Sequence, residues 1–345
     1  MKTMKIEDLW AVIEADADAG KAGAGGWLLR LGQPTAGCPL FVGLELSTRR
    51  RAILLRLPSK AMPSRRRWPR SKGLEALAVV IDDVAHFGVA LKETRFSDVF
   101  TALTADLIRR VSDAANPDAQ ALAFLGQLSR WQKFLSASAD GLGDEAQRGL
   151  WGELQFLREL LQTQMGITAV YGWKGPEKAH QDFQFKTGAV EIKATLAKQP
   201  QVVRITSERQ LDDSAWPALF LNVFALDIRD GSCESLPAMV ASIRSKVLID
   251  AAAQEQFEDA LLAAGYLDIH AIRYADRGYT IRSQRTFRVR GKFPRLVEME
   301  MPEGVGDTNY GLSIAACGAF AVTLDELNSQ LASVRTTKKT TGSKK

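Results

Sequence analysis

Short apolar runs dominate the first 95 residues of the chain. An amphipathic segment over residues 6–15 predicts one opening helix, and the runs that follow are divided by segments rich in Gly, Pro or Arg. Runs of this length between turn-forming residues are typical of β-strands. Residues 1–95 are therefore predicted to form a strand-rich N-terminal domain. Its predicted strands cover residues 27–31, 40–46, 52–57 and 76–81.

The pattern changes to a helical period after residue 95. Apolar residues three and four apart predict two helices, over residues 100–108 and 122–134, separated by Asn116-Pro117. They form a predicted helical connector, residues 96–143, which ends in a Ser/Gly/Asp-rich break. A second domain is predicted over residues 144–333, and the Thr/Lys-rich residues 334–345 are expected to form a disordered basic tail.

The second domain alternates helical and strand-like patterns, which favours an α/β fold. A helix is predicted first, followed by three strands, a helical turn, a very apolar strand, a long helix and three more strands. The predicted elements are, in order, residues 144–165, 182–185, 189–195, 201–206, 207–213, 218–226, 236–264, 269–274, 279–281 and 286–292.

A β-hairpin with two different faces is predicted over residues 181–193, with its turn near residues 186–188. Successive side chains of a strand point to opposite faces of the sheet. The alternation holds on both strands, which supports the register. One face is apolar and the other is polar. The apolar set is Phe183, Phe185, Val190 and Ile192, and the polar set is Asp182, Gln184, Glu191 and Lys193.

The polar face carries the candidate chemistry. Asp182 and Glu191 are expected to lie close together across the hairpin, where two like charges repel unless a cation separates them. Mg²⁺ prefers one or two carboxylates completed by water and substrate phosphate. Lys193, on the same face, can orient a nucleophilic water or stabilise charge that develops on a phosphate. The other reading is an exposed hairpin with ordinary surface charges.

Asp182, an eight-residue gap and then Glu191-Ile192-Lys193 resemble the PD-(D/E)XK signature of restriction-type nucleases. The resemblance implies a restriction-endonuclease-like core of helix, three strands, helix and strand, which fits the predicted order over residues 144–226. The sequence departs from the signature at Gln181, where the proline would stand. More loosely, the whole chain resembles a family of PD-(D/E)XK motif proteins encoded in bacterial restriction-like defence loci.

The resemblance also implies a role for each candidate residue. Asp182, Glu191 and the backbone carbonyl of Ile192 would hold Mg²⁺, for which Mn²⁺ can substitute. Lys193 would activate the attacking water. Glu153, on the leading helix, would help bind a metal or position that water.

Further candidates flank the motif. Gln210 stands where some members of the superfamily place a glutamine. His180 precedes Asp182 by two residues, close enough to contact substrate or metal, and the alternative is an ordinary loop histidine. Trp173, in a glycine-rich turn before the motif, is expected to pack in the core rather than to stack on a base.

Basic residues cluster more than the net charge of +5 suggests. Residues 47–72 contain ten Lys or Arg and no acid, and residues 282–295 contain six and no acid. Such clusters can neutralise the phosphates of a DNA backbone. The alternative for each cluster is an ordinary solvated surface. For the second cluster, a further alternative is an edge strand whose charges prevent aggregation. The predicted DNA-binding residues are Arg49, Arg50, Arg51, Arg65, Arg66, Arg67, Arg288, Arg290 and Lys292.

Several classes of protein are disfavoured. Three scattered cysteines and three distant histidines argue against a structural zinc site or a disulfide framework. No apolar run is long enough to cross a membrane and no signal peptide is evident, so a cytoplasmic protein without membrane contact is expected. The absence of a Walker loop, a dinucleotide-binding fingerprint and a nucleophile elbow disfavours an ATPase, a dehydrogenase or an α/β-hydrolase.

The sequence therefore predicts a metal-dependent endonuclease that hydrolyses DNA phosphodiester bonds, in restriction or phage defence. The alternative is a catalytically silent DNA-binding or assembly subunit of a restriction-like complex. DNA is the expected partner in both readings. Methylation or translocation would need other subunits of the same locus, such as a methyltransferase or an ATPase, and a homodimer would suit cleavage of both strands.

Overall fold

The computed structural model describes residues 5–32, 39–64, 68, 73–112, 114–137 and 141–332, with the backbone alone for 132–137. The chain forms two compact units, Met1–Asp140 and Gly141–Lys345. The predicted DNA-binding residues Arg65, Arg66 and Arg67 lie outside the described residues, as does the predicted basic tail, residues 334–345.

The first unit contains a five-stranded antiparallel sheet with the strand order β1-β2-β3-β5-β4. Its helices include the two predicted for residues 96–143. The elements are α1 (Ile6–Asp18), β1 (Trp27–Leu31), β2 (Leu40–Glu45), β3 (Arg51–Arg56), β4 (Leu74–Ile81), β5 (Val84–Leu91), α2 (Ser97–Ser112) and α3 (Pro117–Ala137).

Strand β5 is the element of this unit that the sequence pattern did not predict. It pairs with both β3 and β4. Asp82 and Asp83, which separate β4 from β5, both have positive φ angles, of 48° and 61°. Two left-handed residues between two strands form the tight hairpin turn whose twist matches that of the sheet, and Asp tolerates this conformation. Residues 76–81 are thus the first strand of a hairpin.

The second unit has a six-stranded mixed sheet with the path β10-β11-β9-β7-β6, and β13 pairs with β11. Strands β7 and β9 are parallel. The elements are α4 (Asp144–Leu160), α5 (Ala169–Gly172), β6 (Phe183–Phe185), β7 (Gly188–Thr195), β8 (Val202–Ile205), β9 (Leu219–Asp230), β10 (Glu234–Ser235), α6 (Leu236–Val247), α7 (Ala251–Ala264), α8 (Ala271–Tyr274), β11 (Arg277–Val289), β12 (Tyr310–Ser313), β13 (Ala321–Val322) and α9 (Leu324–Ala332).

The mixed α/β class is as predicted, but the order of helix, three strands, helix and strand needs two corrections. Strand β8, the predicted third strand, pairs with β12 and not within the six-stranded sheet. The helix expected near residues 207–213 is a single 3₁₀ turn, Glu208–Leu211. Here it is called the Gln210 turn.

Other boundaries also differ from the prediction. The helix predicted over 236–264 is two helices, because Asp250 accepts a hydrogen bond from Ala253 N (2.9 Å) and so caps the start of α7. The leading helix ends at Leu160 rather than at residue 165. Residues 269–274 are helical, and the two strands predicted after them are one strand, β11, with an irregularity near Arg282.

Apolar side chains cover both faces of the six-stranded sheet. Phe183, Val190 and Ile192 belong to a core cluster that includes the apolar residues of α4, and Leu221 belongs to a second cluster on the opposite face. Helix α4 approaches β7 closely at Gly152, where a Cβ atom would stand 2.9 Å from the Cβ of Ala194. The close approach brings the next residue, Glu153, to the hairpin.

The tip of the hairpin is attached to the last described helix. Thr187 Oγ1 donates a hydrogen bond to the carbonyl of Leu331 in α9 (2.6 Å), and Gln330 Nε2 donates to the carbonyl of Thr187 (3.4 Å). Leu327 and Leu331 are buried in the same cluster as Phe183. In the described part of the chain, no helix combines the length and the apolar character needed to span a membrane.

Candidate active site

The hairpin has the predicted register. Phe183 lies opposite Val190, so the next pair outward is Asp182 and Glu191. Asp182 Oδ2 accepts a hydrogen bond from the backbone N–H of Ile192 (2.7 Å), which fixes one oxygen of this carboxylate against the neighbouring strand. The polar face of the hairpin is not a solvated surface, because Glu191 is only 1% exposed.

Helix α4 adds a third carboxylate. Glu153 Oε2 accepts a hydrogen bond from Trp173 Nε1 (2.8 Å), and Trp173 is fully buried, as expected for a packing residue. The indole N–H therefore fixes the position of Glu153 from within the core.

Gly175 leaves space between two of these carboxylates. A Cβ at this position would stand 2.6 Å from Glu153 Oε2 and 2.9 Å from Asp182 Oδ1. The backbone N–H groups of Lys174 and Gly175 both donate to the carbonyl of Asp182 (2.7 and 2.9 Å), so this segment is held against the hairpin. Any side chain larger than hydrogen at Gly175 would fill the space that the two carboxylate oxygens face.

Lys193 supplies the positive charge of the cluster. Its ammonium lies 2.8 Å from Glu191 Oε1 and donates a hydrogen bond to Gln210 Oε1 (3.2 Å). Gln210 Oε1 also accepts from the backbone N–H of Thr206 (2.9 Å), so the Gln210 turn and the residue that follows strand β8 both contribute to the placement of the ammonium. The structure thus brings the sequence candidate Gln210 into the cluster.

His180 is not brought into the cluster. Its side chain is exposed, and within the described residues it has no hydrogen bond or ion pair with the carboxylates or with Lys193. Its proposed contact with metal or substrate stays a prediction, as does the role of the carbonyl of Ile192.

Burial and mutual repulsion change the acidity of the three carboxyl groups. Burial raises the pKa of Asp182 to about 6. Burial, and next the charge of Asp182, raise the pKa of Glu191 to about 8. Burial and the charge of Asp182 also raise the pKa of Glu153 well above its ordinary value, although the hydrogen bond from Trp173 opposes this. The cluster therefore holds more negative charge than its surroundings stabilise.

Lys193 remains protonated. Burial by itself lowers the pKa of this ammonium, but the attraction of Glu191, Asp182 and Glu153 outweighs burial and raises the pKa above its ordinary value. A lysine of this kind donates hydrogen bonds and stabilises negative charge. It does not act as a proton acceptor near neutral pH.

The carboxylate cluster fits a hard divalent cation. Glu191 Oε2 is buried and has no hydrogen-bond partner among the described residues, which is unusual for a carboxylate oxygen. No three Asp, Glu, His or Cys side chains among the described residues form a ready-made coordination sphere. Mg²⁺ does not need one, since it keeps several waters and binds one or two carboxylates together with substrate phosphate.

Arg49, Arg50 and Arg51 have acidic partners, contrary to the argument from the acid-free stretch. The fold brings acids from outside the basic stretch to these three arginines. Arg49 contacts Asp18, Arg50 contacts Glu45 and Glu75, and Arg51 contacts Glu14 (2.7 Å) and stacks over Trp10. These three guanidinium groups therefore contribute to ion pairs within the first unit.

The second predicted basic segment is more available. Arg288 donates to the carbonyl of Pro217 (3.1 Å) and stacks over Phe220. The side chains of Arg290 and Lys292 are exposed, and neither has an ion pair among the described residues. The C-terminal end of β11 lies level with the hairpin in the sheet, because both pair with the same end of β9. It is separated from β7 by about two strand spacings, or roughly 10 Å.

Three residues that position or shape the site were not predicted from the sequence to do so. They are Trp173, which holds Glu153; Gly175, which leaves space beside the carboxylates; and Gln181, which contacts the Gln210 turn. The departure from proline at position 181 was the only signal in the sequence that pointed to one of them.

The fold and the cluster define an α/β protein with a buried acidic site, in which a hairpin supplies Asp, Glu and Lys and the preceding helix supplies a second Glu. The model of the family described as "Putative PD-(D/E)XK family member (DUF4420)" matches residues 6–315, and the chain belongs to this family. Neither the curated proteins nor the solved structures include a match to the chain.

Proposed function

We propose that this protein is a metal-dependent endonuclease that hydrolyses phosphodiester bonds of DNA. The observation that carries the proposal is the convergence of Glu153, Asp182 and Glu191 beside the protonated Lys193. Within the part of the chain that the structure describes, one buried oxygen of Glu191 has no hydrogen-bond partner. Membership of a PD-(D/E)XK family supports the nuclease class.

Mg²⁺ is the proposed cofactor, and Mn²⁺ is expected to substitute for it. Asp182 and Glu191 would hold the cation, with the carbonyl of Ile192 and with Glu153 as further ligands. When bound, a divalent cation neutralises the carboxylates, polarises a substrate phosphate and lowers the pKa of water. A cation held there would supply the positive charge that Glu191 lacks and so would oppose the rise in the pKa of this carboxyl.

Lys193 has two roles in this proposal. Its ammonium orients the attacking water by hydrogen bonding, and it stabilises the negative charge that grows on the phosphate. The attraction of the neighbouring carboxylates raises the pKa of Lys193, so in this proposal its ammonium acts as a hydrogen-bond donor. Gln210 and Glu191 hold the ammonium from two sides and so limit its motion.

DNA is the proposed substrate, and the segment with Arg288, Arg290 and Lys292 is the proposed phosphate contact in the second unit. The support is the exposed positive charge of Arg290 and Lys292 and the position of the segment in the same sheet as the hairpin. Arg288 itself aligns with Phe220 and Val190, on the face of the sheet opposite to Glu191. The resemblance to proteins of restriction-like loci favours foreign DNA as the target. Other subunits of such a locus would supply methylation or ATP-driven translocation.

A plasmid-cleavage assay with and without Mg²⁺ or Mn²⁺ tests the proposal. Lys193→Ala and Glu191→Ala are the active-site variants, and Lys186→Ala, an exposed lysine of the hairpin turn, is the matched control. We expect metal-dependent cleavage by the wild type and the control, and a loss of at least about 100-fold in both active-site variants. Metal-dependent cleavage that survives both substitutions would exclude this site.

The same assay decides between the nuclease and the assembly subunit. A chain that binds DNA with strong salt dependence, binds Mn²⁺ weakly or not at all and cuts nothing, even when the other proteins of its locus are added, would be a DNA-binding or assembly subunit. Mn²⁺ binding that is lost in Glu191→Ala supports the metal site without reference to cleavage.

A further inference from the structure

Gln181 connects the hairpin to the Gln210 turn. It stands immediately before Asp182 and is 3% exposed. Its side-chain Nε2 donates a hydrogen bond to the carbonyl of Arg209 (2.8 Å) and a longer one to the carbonyl of Gln210 (3.4 Å). A proline at this position would have no side-chain donor for either carbonyl.

The other end of the Gln181 side chain is also fixed. Its Oε1 accepts hydrogen bonds from Trp216 Nε1 (3.1 Å) and from Gln184 Nε2 (3.3 Å). Trp216 packs against the apolar cluster on the Glu191 side of the sheet. The amide of Gln181 is therefore oriented by two donors, which leaves its own N–H groups directed at the turn.

The Gln210 turn needs such support, because it is a single 3₁₀ turn with few internal bonds. Within it, Gln210 N donates to Ser207 O at 3.2 Å, and Asp212 N donates to Arg209 O at 3.4 Å. Short 3₁₀ segments have poorer hydrogen-bond geometry than α-helices. The side chain that contacts Lys193 is thus carried by a weak element, and its position depends on contacts from outside the turn.

We propose that Gln181 is a positioning residue. It holds the Gln210 turn so that Gln210 Oε1 keeps the Lys193 ammonium beside Glu191. The effect on the reaction rate rests on the proposed nuclease function. The effect on the Gln210 turn does not, and it can be measured in a protein that cuts nothing.

Three variants separate the contacts. Gln181→Met has a similar volume and removes all four hydrogen bonds. Gln181→Glu keeps an acceptor for Trp216 and removes the donor to the turn. Gln184→Met is the matched control, because Gln184 lies three residues further along, in β6, and its only side-chain hydrogen bond within the described residues is to Gln181.

Hydrogen exchange of the backbone N–H of Thr206 reports the position of Gln210, because this N–H donates to Gln210 Oε1 (2.9 Å). In Gln181→Met and Gln181→Glu we expect this amide to exchange at least about tenfold faster than in the wild type. In Gln184→Met we expect a change of less than about twofold. Wild-type protection of Thr206 in a folded Gln181→Met protein would overturn the proposal.

Steady-state kinetics provide the second readout. Loss of geometry around a catalytic group lowers kcat by about 10- to 100-fold. We expect this decrease in both Gln181 variants, with KM for plasmid DNA and the Mn²⁺ affinity of the neutral variant Gln181→Met within about threefold of wild type. The indole N–H of Trp216 should stay protected from exchange in Gln181→Glu, because the carboxylate still accepts its hydrogen bond, and this protection would show an intact fold. Unchanged kcat, or a fall equal to that of Gln184→Met, would contradict the positioning role.

The experiments distinguish failure of the proposed nuclease function from failure of the proposed positioning role of Gln181. A wild-type protein without any cleavage, together with faster exchange at Thr206 in the Gln181 variants, would refute the nuclease and keep the structural role of Gln181. Normal cleavage by the wild type, with no change in exchange at Thr206 in the Gln181 variants, would keep the nuclease and refute the structural role of Gln181.

Discussion

Replacing Glu191 by glutamine should stabilise the metal-free protein. Folding at pH 7.5 requires the Glu191 carboxyl, with an ordinary pKa of 4.5, to enter a site where its pKa is about 8. The carboxyl must therefore take up a proton, and at about 1.4 kcal/mol for each pH unit between 4.5 and 7.5 this costs at most about 4 kcal/mol. Glu191→Gln is neutral and avoids this cost.

The net effect is smaller because the amide that replaces the Glu191 carboxyl must be accommodated beside the Lys193 ammonium, which lies 2.8 Å from Glu191 Oε1, and only its oxygen can accept a hydrogen bond from that ammonium. We expect the free energy of unfolding of Glu191→Gln to exceed that of the wild type by about 2 kcal/mol at pH 7.5. For a unit of this size, the midpoint of the corresponding thermal transition should rise by about 4–8 °C.

The pH dependence gives the sign of the effect independently. A carboxyl whose pKa is raised by folding does not change the free energy of unfolding below its ordinary pKa, since it is protonated in both the folded and the unfolded state. It destabilises the fold progressively from about pH 4.5 to about pH 8, and the loss is constant at higher pH. The advantage of Glu191→Gln should therefore grow over this range and disappear near pH 4.5.

Thermal unfolding from pH 4.5 to 9 in the presence of EDTA measures both quantities. Glu177→Gln, which neutralises an exposed acid of the neighbouring turn, is the control and should change the midpoint by less than about 2 °C. Added Mn²⁺ should stabilise the wild type and not Glu191→Gln. A variant less stable than the wild type at pH 8 would refute the interpretation of Glu191 as an uncompensated charge.

Three further predictions concern single features. Gly175→Ala should weaken Mn²⁺ binding at least tenfold, because its Cβ enters the space between two carboxylates, whereas Gly149→Ala, on an open helix face, should leave calorimetric binding unchanged. Arg51→Ala should destabilise the first unit by about 1 kcal/mol in denaturant titrations and leave DNA affinity within twofold. The double variant Arg290→Ala/Lys292→Ala should reduce the salt dependence of DNA binding, measured by anisotropy, by about two in the logarithmic slope, and an unchanged slope would exclude this segment.

The sequence was most informative where the pattern is local and repeats over two strands. Parity along the hairpin predicted which residues face the core and which meet at the site, because side chains of strands alternate strictly. Gln210 also reaches the cluster, as its place after β8 suggested.

The predictions failed where distant segments decide the outcome. Strand β8 pairs with β12, which is about a hundred residues away and carried no signal of that pairing. The acids that neutralise Arg49, Arg50 and Arg51 lie outside the basic stretch, so a count along the chain could not include them. Residues 269–274 show the familiar ambiguity of short apolar runs, which fit a helix or a strand equally well.

The hairpin tip is held by α9, a helix that lies outside the residues that the family model matches. The family match ends at residue 315, and every candidate catalytic residue lies inside it. The contacts between Thr187 and the carbonyl of Leu331, and the buried leucines of α9, lie beyond it. A chain shortened to residues 1–315 would keep the whole motif but would lose the support of the loop that joins its two strands. The length of chain that a family model matches and the length that holds the site together are, in this protein, different.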